Sequence, residues 1–307
     1  MIDISFVITV YNKENFLGPM LTSLGQQSGD FTREFIFVDD GSTDNSVAII
    51  KEETKDWDNV HIIQQENMGV SGATNTGGFK AQGEFIKIVD ADDVMTHFAT
   101  RRMMELMREH KLDHLQAGWQ LTDDLLTAFE NTHDETGTVR MVQDPFKDFI
   151  RNGMGGSTST MIRTQMFKEM GGCDETIFVQ DFSIPLRVSY RGRMGLTDLL
   201  AVFGPREAEG RVLDASATVI HDLSATIQHF LRDNPDVPVK LQRLAFKRCA
   251  GRAWKWAKRE QGKSMFCRDF FYYALSQLPI WYQTAPLIEK TLHTWDSEDV
   301  RRPKPRR

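Results

Sequence analysis

Only three cysteines, Cys173, Cys249 and Cys267, stand in the 307 residues of this chain. Their number is odd and their spacing fits no metal-ligand motif. Neither a disulfide framework nor a zinc module is expected, and a reduced, cytoplasmic compartment is the simplest reading. No run of about 18 uncharged apolar residues occurs, so no spanning helix is expected. The opening Met1-Ile2-Asp3-Ile4-Ser5 has neither the basic nor the apolar block of a secretory leader. There is no internal repeat. A glycine-rich phosphate loop with Lys or Arg is also missing after the first apolar run, where Tyr11-Asn12-Lys13-Glu14-Asn15 stands instead. That absence disfavours a sugar-phosphate nucleotidyltransferase, which would also use an α/β sheet and a divalent metal.

What is present bounds the chain further. With 40% hydrophobic residues it can bury a substantial core, as one large domain or one domain with an appendage. Its net charge of −6 conceals an asymmetry. Residues 1–239 hold 37 acidic and 21 basic side chains, a net −16, while residues 240–307 hold 6 acidic and 16 basic, a net +10. Such polarity suggests a C-terminal segment that meets something anionic.

The first 120 residues alternate apolar runs with helix-like stretches. Ile4-Ser5-Phe6-Val7-Ile8-Thr9-Val10, Phe35-Ile36-Phe37-Val38, His61-Ile62-Ile63 and Phe85-Ile86-Lys87-Ile88-Val89 read as strands. Residues 14–27 read as a helix, and Ser42 or Thr43 as the cap of the next one. Alternation of this kind implies right-handed crossovers and a mostly parallel sheet, with ligands beyond the carboxyl ends of its strands. Three of those ends are polar: Thr9 to Asn12, Asp39-Asp40, and Asp90 to Asp93. If the strands are neighbours, these groups converge on one site. Residues 153–160 read as a glycine- and serine-rich loop leading into a strand at Met161-Ile162.

Asp90-Ala91-Asp92-Asp93 follows an apolar strand directly. Carboxylate oxygens suit a hard divalent cation, and such a cation neutralises a departing nucleoside diphosphate. The plain alternative is a solvated acidic turn that caps a helix over 97–109.

The surrounding motifs give that cluster a context. The chain resembles a family-2 glycosyltransferase of the inverting, bacterial polysaccharide or glycolipid type. Val7-Ile8-Thr9-Val10-Tyr11-Asn12 is similar to the family's opening strand, and Val38-Asp39-Asp40-Gly41-Ser42-Thr43-Asp44 to its nucleotide-binding turn. Asn67-Met68-Gly69-Val70-Ser71-Gly72-Ala73-Thr74-Asn75 resembles the segment over the nucleotide. Gly83 to Asp93 resembles the strand bearing the DxD motif, and Met170 to Asp181 the acceptor-side region. The motifs come in the family's order and cover roughly residues 4–225.

The resemblance implies an α/β GT-A fold: a mostly parallel, Rossmann-like sheet flanked by helices over residues 1–230, with a basic helical extension over 231–307. It implies transfer of a hexosyl unit from a nucleotide sugar, most simply a UDP-sugar, to a glycan or lipid-linked acceptor. It also implies a divalent cation, Mn2+ or Mg2+. Thr9, Tyr11, Asp40 and Asn75 are expected at the nucleotide. Asp90 is expected toward the ribose, Asp92 on the metal, and Asp93 as a structural cap. His221, read at a strand end in Val219-Ile220-His221-Asp222, is a candidate second metal ligand. Asp181 is the expected general base, taking the proton of the acceptor hydroxyl. Two departures stand out: Thr74 where the family often has Arg, with Lys80 or a later Arg as its substitute, and Gln180 where it usually has an acid. They leave room for a catalytically silent sugar-binding or scaffold member.

From about 240, Arg and Lys interleave with Trp and Phe, and aromatics continue to Tyr282. This pattern suits an appendage packed on the acidic domain, or an anionic membrane surface met from the cytoplasmic side. A nucleic-acid partner is not expected.

Overall fold

The computed structural model describes residues 2–206, 216–279 and 283–301. The aromatic run at Ile280, Trp281 and Tyr282 and the basic tail at 302–307 lie outside the described residues.

The expected N-terminal strands form and are neighbours. They are β1 (Ile4–Val10), β2 (Arg33–Asp39), β3 (Val60–Gln64) and β4 (Phe85–Asp90). Their order is β3-β2-β1-β4 and every pairing among them is parallel. β1 is buried along its whole length, as a strand covered on both faces must be. Its even residues Ile4, Phe6, Ile8 and Val10 pack on one side, with α1 (Leu17–Gly25) and α4 (Ala99–Glu109). Val7 points the other way, toward α3 (Gly69–Lys80) and α7 (Thr164–Glu169).

Beyond β4 the sheet becomes mixed. β8 (Thr160–Arg163) is antiparallel to both β4 and β6 (His114–Thr122), and β6 runs parallel to β9 (Met194–Pro205). The short β5 (Val94–Met95) and β7 (Val139–Met141) are antiparallel to β9. α2 (Ser46–Glu53) and α5 (Leu125–Asn131) complete the part before residue 140.

Some local expectations give way. Helix α1 starts at Leu17 because residues 12–15 are committed to a turn: Glu14 receives Asn45, and its own N–H goes to Asp44. Neither Ser42 nor Thr43 caps α2, whose N-cap is Asn45. Ser42 Oγ accepts instead from the Asn12 N–H, which stitches the ends of β1 and β2 together. Asp93 does not cap α4 either, since β5 intervenes and the N-cap is Phe98.

A third core is built between helices. It joins α6 (Pro145–Asn152), α8 (Gln180–Arg191) and α9 (Ser216–Asp233) to α10 (Val239–Arg259) and α12 (Ala285–Leu292). α10 turns Ala245, Phe246, Cys249, Ala250 and Ala253 inward and exposes Lys247, Arg248, Lys255, Lys258 and Arg259. The basic C-terminal helices therefore pack on the rest of the chain through a small-residue face. No helix among the described residues is long and apolar enough to cross a membrane.

Candidate active site

The site is built at the carboxyl ends of β1, β2 and β4. Thr9 sits between Val38 on one side and Asp90 on the other, and Val10 is opposite Asp39. Strand order alone thus brings the three polar strand ends together.

The turn after β1 is tightly specified. Asn12 adopts a left-handed conformation, φ 51°, and its Oδ1 accepts from the Thr43 N–H at 2.8 Å. Asn tolerates this backbone better than most residues because its short side chain bonds locally. The turn aims Lys13 across the cleft, where its Nζ meets Asp92 Oδ2 at 2.5 Å. Tyr11 beside it is about half exposed, at 48%.

Asp40 is buried and builds the start of α3. Its Oδ1 accepts from Gln65 Nε2 at 2.7 Å and from the Met68 N–H at 2.8 Å. Burial raises its pKa against the lowering effect of these bonds. Gly41, at φ 83°, makes the bend that follows.

Asn75 is buried on α3 and is already fully engaged. Its Nδ2 donates to the Cys173 carbonyl and Glu175, and its Oδ1 accepts from the Cys173 N–H at 2.7 Å. Asn75 thereby clasps the acceptor-side loop. Gly172, at φ 69°, is required there: a Cβ would lie 2.3 Å from Asn75 Oδ1.

The carboxylates come close to one another. Asp90 is half-buried, and its N–H donates to Thr158 Oγ1 at 2.9 Å. Burial, then the neighbouring charges of Asp93, Asp181 and Asp92, push its pKa well above the usual range. Asp181 stands in the first turn of α8 and accepts from Ser157 Oγ at 2.5 Å. Burial raises its pKa too, while bonds from Ser157 and the Gly156 N–H pull it down. Burial outweighs those bonds, so the Asp181 carboxyl stays above the usual range of an Asp.

The two departures from the family pattern meet. Thr74 Oγ1 is hydrogen bonded to Gln180 Oε1, both side chains being buried. Gln180 Nε2 then reaches Ser157 Oγ at 2.9 Å and Asp90 Oδ1 at 3.5 Å. Lys80 does not take the place of the missing Arg. It ends α3, just before Gln82 and Gly83, whose N–H groups bond Glu34 and Ser5 near the starts of β2 and β1, away from the site.

His221 lies inside α9 and not at a strand end, because residues 216–233 form one continuous helix. Its Nδ1 is 2.8 Å from Asp222 Oδ1. Asp222 Oδ2 accepts the N–H groups of Phe178 and Val179, at 2.8 and 2.9 Å, and so fixes the chain entering α8.

The carboxylates Asp90 and Asp92 fit a hard divalent cation by the nature of their oxygens. The mutual repulsion at Asp90 and the ammonium of Lys13 on Asp92 show that positive charge is wanted there. No group of three His, Cys, Asp or Glu arranged to hold a metal occurs among the described residues. Mg2+-type sites commonly use one or two carboxylates and complete their shell with substrate phosphates.

Sequence reasoning missed Lys13, Ser157 and Asp222. Lys13 carried a signal in its position directly after the first strand's polar end. Ser157 and Asp222 carried none, since each acts through a contact that only the fold creates.

A cavity of about 410 Å3 opens beside α8, lined by Phe182, the residue after Asp181, with Gln116, Met154, Gly155, Leu196 and Leu223 among others. Gly155 also packs on Asp181: a Cβ there would lie 3.5 Å from the Asp181 Cβ.

Comparison with known proteins agrees with this architecture. The chain is 35% identical over 161 residues to the uncharacterized glycosyltransferase YibD of Escherichia coli, covering 52% of this chain and 46% of YibD. It is 38% identical over 115 residues to the poly(ribitol-phosphate) beta-glucosyltransferase of Bacillus spizizenii, covering 36% and 18%. The matches thus span less than half of either relative. Among solved structures, S. aureus TarS 1-349 in complex with UDP has a TM-score of 0.61 at 18% identity, over 95% of this chain and 88% of that one. The mannosyltransferase PcManGT of Pyrobaculum calidifontis, in complex with GDP-Man and Mn2+, has a TM-score of 0.58 at 13% identity, over 96% and 88%. These structures establish a shared GT-A fold. The family profile of glycosyl transferase family 2 matches residues 5–171, more than half of the chain, and the protein belongs to that family.

Proposed function

We propose that the protein is an inverting glycosyltransferase that moves a hexosyl unit from a UDP-sugar to a hydroxyl of a glycan or lipid-linked acceptor. The observation that carries this reading is the meeting of Asp90 and Asp92 with Asp181 at one site, a donor-side pair facing a single base. The UDP bound to TarS, on the same fold, supports a uridine nucleotide as the donor's carrier.

In this reading Thr9, Tyr11 and Asp40 border the nucleoside. Asp40, held through Oδ1 by Gln65 and Met68, is the acceptor for an N–H of the nucleobase. Asn75 acts by holding the 173–175 loop over the nucleotide. Asp90 accepts from the ribose, and Asp92 holds the metal once Lys13 gives way. His221 is a further ligand candidate: its Nδ1–H donates to Asp222, which leaves the lone pair of Nε2 to face a metal, the usual pairing of a ligating histidine. A divalent cation bound there neutralises the leaving diphosphate.

Asp181 performs the proton transfer. As the acceptor oxygen attacks C1, its proton passes to Asp181, the C1–O bond to the β-phosphate breaks, and the nucleoside diphosphate departs. Attack from the face opposite the leaving group inverts C1. Ser157 and the Gly156 N–H hold the carboxylate for this step.

The basic outward face of α10, with the exposed Met265 and the fully exposed Phe266 beyond it, suits the anionic inner face of a cell membrane. That placement would bring the enzyme to a lipid-linked acceptor.

The test is transfer from UDP-sugars by Asp92→Ala and Asp181→Ala. Both should lose transfer, and only Asp92→Ala should also weaken metal-dependent UDP binding. Near-normal transfer by Asp181→Ala would remove the base assignment.

A further inference from the structure

Ser157 has one hydroxyl proton and two close polar neighbours. Gln180 Nε2 lies 2.9 Å from its oxygen, and Asp181 Oδ1 lies 2.5 Å from it. An amide nitrogen can only donate. Ser157 Oγ therefore accepts from Gln180, and its single proton is left for Asp181.

The orientation of that amide is fixed from the opposite side. The buried Thr74 hydroxyl donates to Gln180 Oε1. The second Nε2 proton faces Asp90 Oδ1 at 3.5 Å. Turning the amide over would set Oε1 against the Asp90 carboxylate and against Ser157, with Thr74 facing the nitrogen. The chain of donors is self-consistent in one sense only.

We propose that Gln180 is a positioning residue: held by Thr74, its neutral amide directs the Ser157 proton onto Asp181 and ties the base to the donor-side carboxylate Asp90. The inference rests on Asp181 being the base. A glutamate at 180, of the same size, could not do this. It has no proton to give when ionised, so Ser157 would stand between two carboxylates with one proton to share. The charged group facing Asp181 across the site is Asp90 on β4, backed by Asp92 and Asp93. Asp174, Glu175 and Arg187 lie around the adjoining Cys173 thiol. A further negative charge at 180 would fall into this already acidic surrounding.

The experiment is a pH titration of the Asp181 carboxyl carbon by 13C NMR, in metal-free protein, the resonance being identified by its loss in Asp181→Asn. It is run on the wild type and on Gln180→Glu, Thr74→Val, Ser157→Ala and the Ser157→Ala/Gln180→Glu pair. Gln180→Glu should raise the Asp181 midpoint by about one pH unit or more. Thr74→Val, which adds no charge, should raise it by a smaller amount, because the freed amide no longer commits the Ser157 proton. In the Ser157→Ala background the effect of Gln180→Glu should fall to half or less. An unchanged midpoint in Gln180→Glu, or a full shift that persists without Ser157, overturns the proposal. If Gln180→Glu fails to fold, Thr74→Val decides alone, an unchanged midpoint again overturning it. The titration involves no turnover, so its outcome is separate from whether Asp181→Asn abolishes transfer.

Discussion

Asp222 anchors the chain just before Asp181, and its replacement should show how strongly. One of its oxygens holds two backbone N–H groups, those of Phe178 and Val179, immediately before Gln180 and Asp181. The other meets His221. Hydrogen bonds to a charged group contribute about 1.5–3 kcal/mol each, so the pair of backbone bonds sets an upper range of about 3–6 kcal/mol. Phe178 is partly exposed and water can reach its N–H, whereas Val179 is buried. Asp222→Ala should therefore lose about 2–4 kcal/mol, which for a chain of this size lowers Tm by roughly 3–6 °C. The entry to α8 would also loosen, and a base displaced by about 1 Å can lose on the order of 100-fold in rate. Asp222→Asn keeps an acceptor oxygen and should lie between the two. Differential scanning calorimetry and kcat for transfer check both parts. A Tm within 2 °C of the wild type, with kcat unchanged, would refute the claim that α9 fixes the base.

Two other perturbations test separate features. His114 is buried in β6 and neither ring nitrogen has a protein partner among the described residues, so burial pushes its pKa down to about 4. The folded value lies below the unfolded one near 6.5. Its contribution is thus complete above pH 6.5 and is lost as the pH falls toward 4, by up to about 3 kcal/mol; urea denaturation of His114→Leu between pH 7 and 4 should show a correspondingly shallower loss than the wild type. Lys13→Met should bind Mn2+ in the presence of UDP about fivefold more tightly by calorimetry, because the ion no longer displaces an ammonium from Asp92, a part-buried pair that contributes about 1 kcal/mol; weaker binding would instead place Lys13 on the diphosphate.

The convergence of the polar strand ends was legible in the sequence because local signals carry it. β1, β2 and β4 are continuous apolar runs, and their polar ends fall at one edge as soon as the strands are parallel neighbours. The surroundings of Asp181 were not, because its supports are non-local. Ser157 reaches Asp181 across 24 residues, Thr74 reaches Gln180 across 106, and Asp222 holds Val179 across 43. Periodicity reports none of these contacts. Nor does it report that β8 is inserted antiparallel between β4 and β6, which is what presents the 153–159 loop to Asp181. The caps expected at Ser42, Thr43 and Asp93 failed for a related reason. Each of those residues had the chemistry of a cap, but the turn around it was already committed: Ser42 and Thr43 to Asn12, and Asp93 to the bend that returns to Asp90.

Binding of a UDP-sugar that depends on both a divalent ion and Asp92 tests the central claim most directly. Thermal unfolding is followed with UDP-glucose and UDP-N-acetylglucosamine, with Mn2+ and with chelator, for the wild type and Asp92→Ala. A bound donor at 100 times its Kd should add about 2.7 kcal/mol of stability, seen only with Mn2+ and lost in Asp92→Ala. Stabilisation that survives the chelator, or that Asp92→Ala retains in full, would contradict a metal-bound diphosphate at the end of β4.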